Sequence, residues 1–186
     1  GAIVVGIDNG GDKRLDELSP TWPLSSSVSQ YNIKPEGEEY ASFIVETLKP
    51  YIDQNFRTLS DRENTMIGGS SMGGVMSLYM TFAYPSTFGK SLIFSPSMWV
   101  YQNNSIETFI QTSNVSQLTN RPKVYVYAGG SELTITPFVP VIYDTLIANG
   151  YDDTLVKTHI QCGQGHNEAA WALHLPLALD WLLASI

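Results

Sequence analysis

Gly69-Ser70-Ser71-Met72-Gly73 has the Gly-x-Ser-x-Gly spacing that sets a serine hydroxyl at the tip of a sharp turn. Apart from Met72, every residue from Gly68 to Gly74 is Gly or Ser. Backbone held that tightly leaves no room for bulky neighbours on either side. Residues 64–67 read as a short strand and residues 72–83 as a helix, which is the strand–turn–helix context the motif requires. The helix would aim its first N–H groups and its positive dipole end at any oxyanion formed beside Ser71. The backbone N–H of Met72, next after the serine, is the first candidate donor. A serine hydroxyl is a poor nucleophile until a base takes its proton, and the base needs a carboxylate to fix its tautomer and stabilise the imidazolium.

Three histidines can be weighed as that base. His166 is favoured, because Gly163-Gln164-Gly165 makes an exposed loop in front of it. His159 alternates within an expected strand and reads as a packing or capping residue. His174 falls inside an expected final helix and reads as structural. For the acid, Glu132 follows a strand directly, and reactive groups of parallel sheets collect at the C-terminal ends of strands. Asp144 lies mid-helix, and Asp152 and Asp153 lie in a turn before the last strand. These three stay open as alternatives on strand-end geometry alone. Trp99 and Trp171 are large apolar groups near expected strand ends and could line a substrate pocket or simply pack in the core. Arg14 and Glu17 flank the first loop and can pair with each other. Glu168 reads as a carboxylate favoured by a helix N-terminus.

The elements that must hold these groups alternate between strand and helix. Residues 2–7, Ala-Ile-Val-Val-Gly-Ile, form a continuous apolar run of the kind expected for a strand buried in a parallel sheet. A turn at Asp8-Asn9-Gly10-Gly11 and a long polar loop to about Pro35 follow. Residues 36–56 have helical spacing, with Tyr40, Phe43, Ile44, Leu48, Tyr51, Ile52 and Phe56 on one broad face and a kink expected at Pro50. After the serine turn come strands at 91–95, 122–128 and 154–162, and helices at 105–113, 137–149 and 168–185. The pattern predicts an α/β fold with a mainly parallel sheet and helices on both faces. Cys162 sits in the last of these strands and reads as a packing residue.

The totals narrow the classes further. A chain of 186 residues with 43% hydrophobic and 15% charged residues can bury a core without staples, and is expected to form one domain, 1–186. A net charge of −8 without a Lys/Arg cluster argues against a nucleic-acid partner. One cysteine allows no intrachain disulfide, and the histidines form no His-x-x-x-His pair, so no metal is expected. No apolar run reaches the length of a membrane span, so a soluble chain is expected. The first residues lack the basic region of a signal peptide, but a removed one would leave no trace, so secretion stays open. Asn-x-Ser sequons at Asn103 and Asn114 carry no information on secretion.

The chain order Ser71, Glu132, His166 is the one expected of α/β-hydrolases. Four stretches together resemble the esterase D-like family of that fold, which includes S-formylglutathione hydrolases, feruloyl and acetyl-xylan esterases, enterobactin-type esterases and mycolyltransferases. They are Ile3-Val4-Val5-Gly6-Ile7-Asp8-Asn9-Gly10 with Arg14, Glu17, Ser19 and Pro20; the serine turn with Tyr84-Pro85, Phe88 and Ser95; Tyr125-Val126-Tyr127-Ala128-Gly129 with Glu132; and Gly165-His166-Asn167-Glu168-Ala169-Ala170-Trp171. The first of them looks closest to the feruloyl and enterobactin-esterase side.

The resemblance implies Ser71 as nucleophile, Glu132 as acid and His166 as base, in a cofactor-free hydrolysis of a short-acyl or aromatic-acyl ester through an acyl-enzyme. The ester would be a small molecule or be linked to a polysaccharide. The family also implies a strand ahead of residues 2–7 whose loop donates a second oxyanion N–H. This chain has no such stretch, so it is expected to be N-terminally truncated or part of a longer protein, to borrow a strand from a second chain, or to have a rearranged sheet. Within the sequence, Asn9, Gly10 and Gly11 are the candidates to stand near the substrate in place of that loop. Two rival readings use the same residues. One is acyl transfer to a sugar alcohol. The other is a non-catalytic binding domain, against which the intact Ser71, Glu132 and His166 weigh.

Overall fold

The computed structural model describes residues 1–184. Four parallel strands pair in chain order: β1 (Met66–Ser70), β2 (Lys90–Phe94), β3 (Lys123–Gly129) and β4 (Val156–Gln161). Among the described residues seven α-helices accompany them: α1 (Arg14–Glu17), α2 (Gly37–Phe43), α3 (Lys49–Asn55), α4 (Met72–Ala83), α5 (Ser105–Thr112), α6 (Phe138–Ala148) and α7 (Glu168–Leu183). The fold is α/β, with helices on both faces of a parallel sheet.

The layering follows from the strand order. Strands that step in one direction through right-handed crossovers put every crossing helix on the same face. Accordingly Val75 and Leu78 of α4, Ile110 of α5 and Ile142 and Leu146 of α6 share one core with Val124, Val126 and Ala128 of β3. The alternate residues of β3, Tyr125 and Tyr127, turn to the other face and meet Ala178 and Leu182 of α7. All of β3 is buried, as a strand covered on both faces should be. Its register with β2 and β4 brings the C-terminal ends of the strands to one edge of the sheet, where the serine, acid and histidine loops begin.

Several expectations are corrected. Residues 2–7 are not a strand: they carry no regular secondary structure, and Ile3, Val4 and Val5 are exposed. An apolar run becomes a strand only where a neighbour accepts its ladder of hydrogen bonds. Here a groove of about 940 Å³, lined by Ile3, Val5, Ile7 and Asn9 on one side and by residues 64–70 on the other, separates the run from β1. Cys162 is not in a strand either. β4 ends at Gln161, and the thiol is free and exposed in the turn beyond it. Arg14 and Glu17 do not pair: Glu17 Oε2 instead accepts the Gly10 N–H at 2.6 Å.

The helix expected at 36–56 forms as α2 and α3 joined by a π-helical turn, Ile44–Leu48. Pro50 has no N–H to give to the carbonyl four residues earlier, and a widened turn just before it absorbs the mismatch without a break. Ala41, Ile44 and Leu48 face the core, whereas Phe43, Tyr51 and Phe56 are exposed, so the apolar face is narrower than the spacing suggests. The expected loop before α2 is organised by short helical turns and by Asp16, whose Oδ1 accepts the Lys34 N–H at 2.8 Å. Among the described residues no helix is long and apolar enough to cross a membrane.

Candidate active site

Ser71 stands between β1 and α4 with φ 59° and ψ −123°, a conformation that L-residues rarely adopt. Two close approaches enforce it. A Cβ on Gly69 would lie 2.6 Å from the backbone of Gly73, and one on Gly74 would lie 2.7 Å from the Phe94 carbonyl oxygen. Only glycine allows strand, turn and helix to close this tightly, which is the physical content of the motif. The Ser71 N–H donates to Phe94 O at 3.0 Å and its carbonyl accepts from Ser97 N–H at 3.2 Å, so the turn is fastened to the end of β2. Met72, 2% exposed, opens α4, and the first N–H groups of a helix have no acceptor within it.

Glu132 lies just past β3 and is buried. Its Oε1 accepts the Gly129 N–H at 2.6 Å and the Ser95 hydroxyl at 2.8 Å. Its Oε2 lies 2.6 Å from Nδ1 of His166. The acid side chain is 2% exposed and the histidine side chain 37%. A buried carboxylate with donors on both oxygens is fixed in orientation, and it in turn fixes the ring of the more open histidine. His166 follows a turn in which Gly163 has φ 75°. Behind it, Asn167 caps α7, its Oδ1 accepting the Ala170 N–H at 3.0 Å. The structure therefore brings Glu132 and His166 together. Asp144, Asp152 and Asp153 are placed elsewhere: Asp152 binds Thr154 and Asp153 accepts from Tyr143.

Among the described residues Ser71 Oγ has one side-chain hydrogen-bond partner, Ser97 Oγ at 3.1 Å. Trp171 Nε1 donates to Ser95 Oγ at 2.9 Å, and its ring stands edge-on to His166, centroids 5.0 Å apart. Trp99 is 38% exposed in a helical turn beyond β2. Asn9 lines the groove beside β1 and uses its Oδ1 to accept the Gly11 N–H at 3.0 Å. Ser95 and Ser97 went unnoticed as site residues in the sequence. The signal was their place directly after β2, where strand ends gather.

The other two histidines occupy the opposite face of the sheet. His174, 3% exposed, bonds Tyr125 Oη through Nε2 at 2.8 Å and stacks between Tyr127 and His159 at 4.3 and 4.4 Å. Burial, with a smaller contribution from His159, lowers its pKa to about 4. Both expectations for this pair, packing and structural duty, describe what they do.

Comparison with known proteins agrees with the fold. The chain is 25% identical over 190 residues to the uncharacterized protein YbbA of Bacillus subtilis, covering 97% of this chain and 72% of that one. It is 30% identical over 128 residues to the iron(III) salmochelin esterase of Escherichia coli O6:H1, covering 64% of this chain and 30% of the relative. Among solved structures, the siderophore hydrolase EstA of Aspergillus nidulans superposes with a TM-score of 0.71 at 20% identity, over 94% of this chain and 67% of EstA. The chain thus spans from under a third to about seven-tenths of the length of these proteins. The profile of the family described as "Putative esterase" matches residues 1–182, and the chain belongs to that family of α/β-hydrolase-fold esterases.

Proposed function

We propose that this chain carries the catalytic serine, acid and histidine of a carboxylic ester hydrolase acting through an acyl-enzyme. The observation that carries the reading is the 2.6 Å contact between Glu132 Oε2 and His166 Nδ1, at the same edge of the sheet as a serine held at positive φ after β1. Glu132 keeps the Nδ1 proton in place and leaves Nε2 free to act as base. Ester binding turns Ser71 Oγ from Ser97 toward Nε2. The hydroxyl attacks the carbonyl carbon as Nε2 takes its proton, and the oxyanion forms against the Met72 N–H at the start of α4. His166 then returns the proton to the leaving alcohol. Water repeats the sequence on the acyl-serine, and Ser71 is regenerated.

The substrate class we propose is a small ester with a short or aromatic acyl group. The family membership and the salmochelin esterase relative support ester hydrolysis. The test is intact mass after treatment with a fluorophosphonate, with Ser71→Ala alongside. One adduct that disappears in the variant is expected, and p-nitrophenyl acetate hydrolysis should disappear with it. Turnover undiminished in Ser71→Ala would overturn the proposal.

A further inference from the structure

We infer that Ser95 and Trp171 are positioning residues that hold Glu132 for His166, so that Trp171 acts through the acid and does not serve as a wall of the substrate pocket. The inference rests on the esterase reading above and adds two residues to its machinery. Ser95 is fully buried at the end of β2, with φ 44° in the left-handed region. A non-glycine residue stays in that conformation only where its surroundings over-determine it. Here the Ser95 N–H donates to Tyr127 O at 2.6 Å, and the turned backbone points Oγ between β3 and α7.

A serine hydroxyl has one proton and a free rotor, so its direction must be set by something else. The indole N–H of Trp171 can only donate. At 2.9 Å it occupies a lone pair of Ser95 Oγ, which leaves the hydroxyl proton to go to Glu132 Oε1 at 2.8 Å. With the Gly129 N–H at 2.6 Å, Oε1 has two donors, and Oε2 is left to His166. The run Trp171, Ser95, Glu132, His166 is therefore directional at every step. It also closes on itself in space, because the Trp171 ring stands at 88° to the His166 ring, 5.0 Å away. Since Trp171 lies in the first turn of α7, whose cap Asn167 adjoins His166, the helix start, the acid and the base are set as one unit.

The test compares Trp171→Phe, which keeps an aromatic ring but loses the N–H, with Ser95→Ala and the double variant. Readouts are p-nitrophenyl acetate kinetics, thermal melting, and the low-field proton resonance of the His166 Nδ1–H, assigned by its loss in His166→Gln. Removing the hydrogen bond to the charged acid should lower kcat about ten- to a hundredfold, and freeing the rotor about three- to tenfold. KM should stay unchanged in both, the resonance should move or broaden in both, and the double variant should be no slower than Ser95→Ala. Unchanged kcat and resonance would overturn the inference. So would a change confined to KM in Trp171→Phe, which would make Trp171 a pocket wall. Should Ser95→Ala fail to fold, the kcat, KM and resonance of Trp171→Phe decide alone. Failure of the esterase reading shows separately, as turnover retained in Ser71→Ala, whereas the resonance reports on Glu132 and His166 whatever the activity.

Discussion

The Ser131 N–H donates to the carbonyl oxygen of Gln164 at 2.9 Å, and this one backbone bond ties the loop carrying Glu132 to the loop carrying His166. The two loops leave adjacent strands, and the Gly130 N–H, donating to Gln161 O at 2.8 Å, makes a second tie one step earlier. The distance from acid to base is thus fixed by backbone, with the side chains finishing what the strands begin.

Gly129→Ala tests that seam. A Cβ there would lie 2.4 Å from Gln164 O and 2.8 Å from Glu132 Oε1, so it would push both loops apart at once. We expect a stability loss of about 1–3 kcal/mol, the usual range for overpacking. Turnover should fall by at least tenfold beyond what partial unfolding explains. Urea melts and kcat/KM on one preparation measure both, and full activity in a folded variant would show that the loops tolerate separation.

Glu132→Gln retains the shape of the acid and removes its charge. An amide in this position can present an N–H to Nδ1 and favour the wrong imidazole tautomer. The analogous change in a serine protease triad costs about ten-thousandfold in turnover. A fall of roughly a hundredfold or more in kcat is expected here, with the melting temperature within a few degrees. If Asp144, Asp152 or Asp153 proved the sensitive position, Glu132 would lose its role.

Gly74→Ala addresses the serine turn from the other side. Its added methyl would meet the Phe94 carbonyl at 2.7 Å, and that carbonyl also receives the Ser71 N–H. The variant should be destabilised by about 1–3 kcal/mol. Any folded fraction should react with fluorophosphonate more slowly than the parent. Parent-like labelling would mean that Ser71 does not depend on this fastening.

His174 predicts how stability depends on pH. The folded protein keeps it neutral down to about 4, whereas in the unfolded chain it binds a proton from about 6.5 downward. Between those values the unfolded state takes up more protons, so stability is complete above about pH 6.5 and falls as the pH drops toward 4. The loss should be at most about 3 kcal/mol. Urea melts at a series of pH values should show this slope, and His174→Phe should flatten it while losing the bond to Tyr125. A slope unchanged in that variant would assign it to other groups.

What the sequence by itself determined was whatever depends on neighbours along the chain. The serine turn was legible because only small residues fit it, and helix α4 matches its expected range of 72–83 because spacing and breaker residues act locally. Glu132 and His166 could be picked out because each follows a strand, and strand ends of a parallel sheet gather at one edge. What only the tertiary structure decided was whatever depends on partners distant in the chain. The apolar run at residues 2–7 looks like a strand until the absence of a ladder beside it is seen. Cys162 and Phe43 look buried until the sheet edge and helix rotation expose them. Ser95 and Trp171, 76 residues apart, meet through a bond that no local pattern encodes. Hydrophobic period and turn chemistry are properties of a segment, whereas a hydrogen bond between a strand end and the start of a distant helix is a property of the register and packing that bring them together.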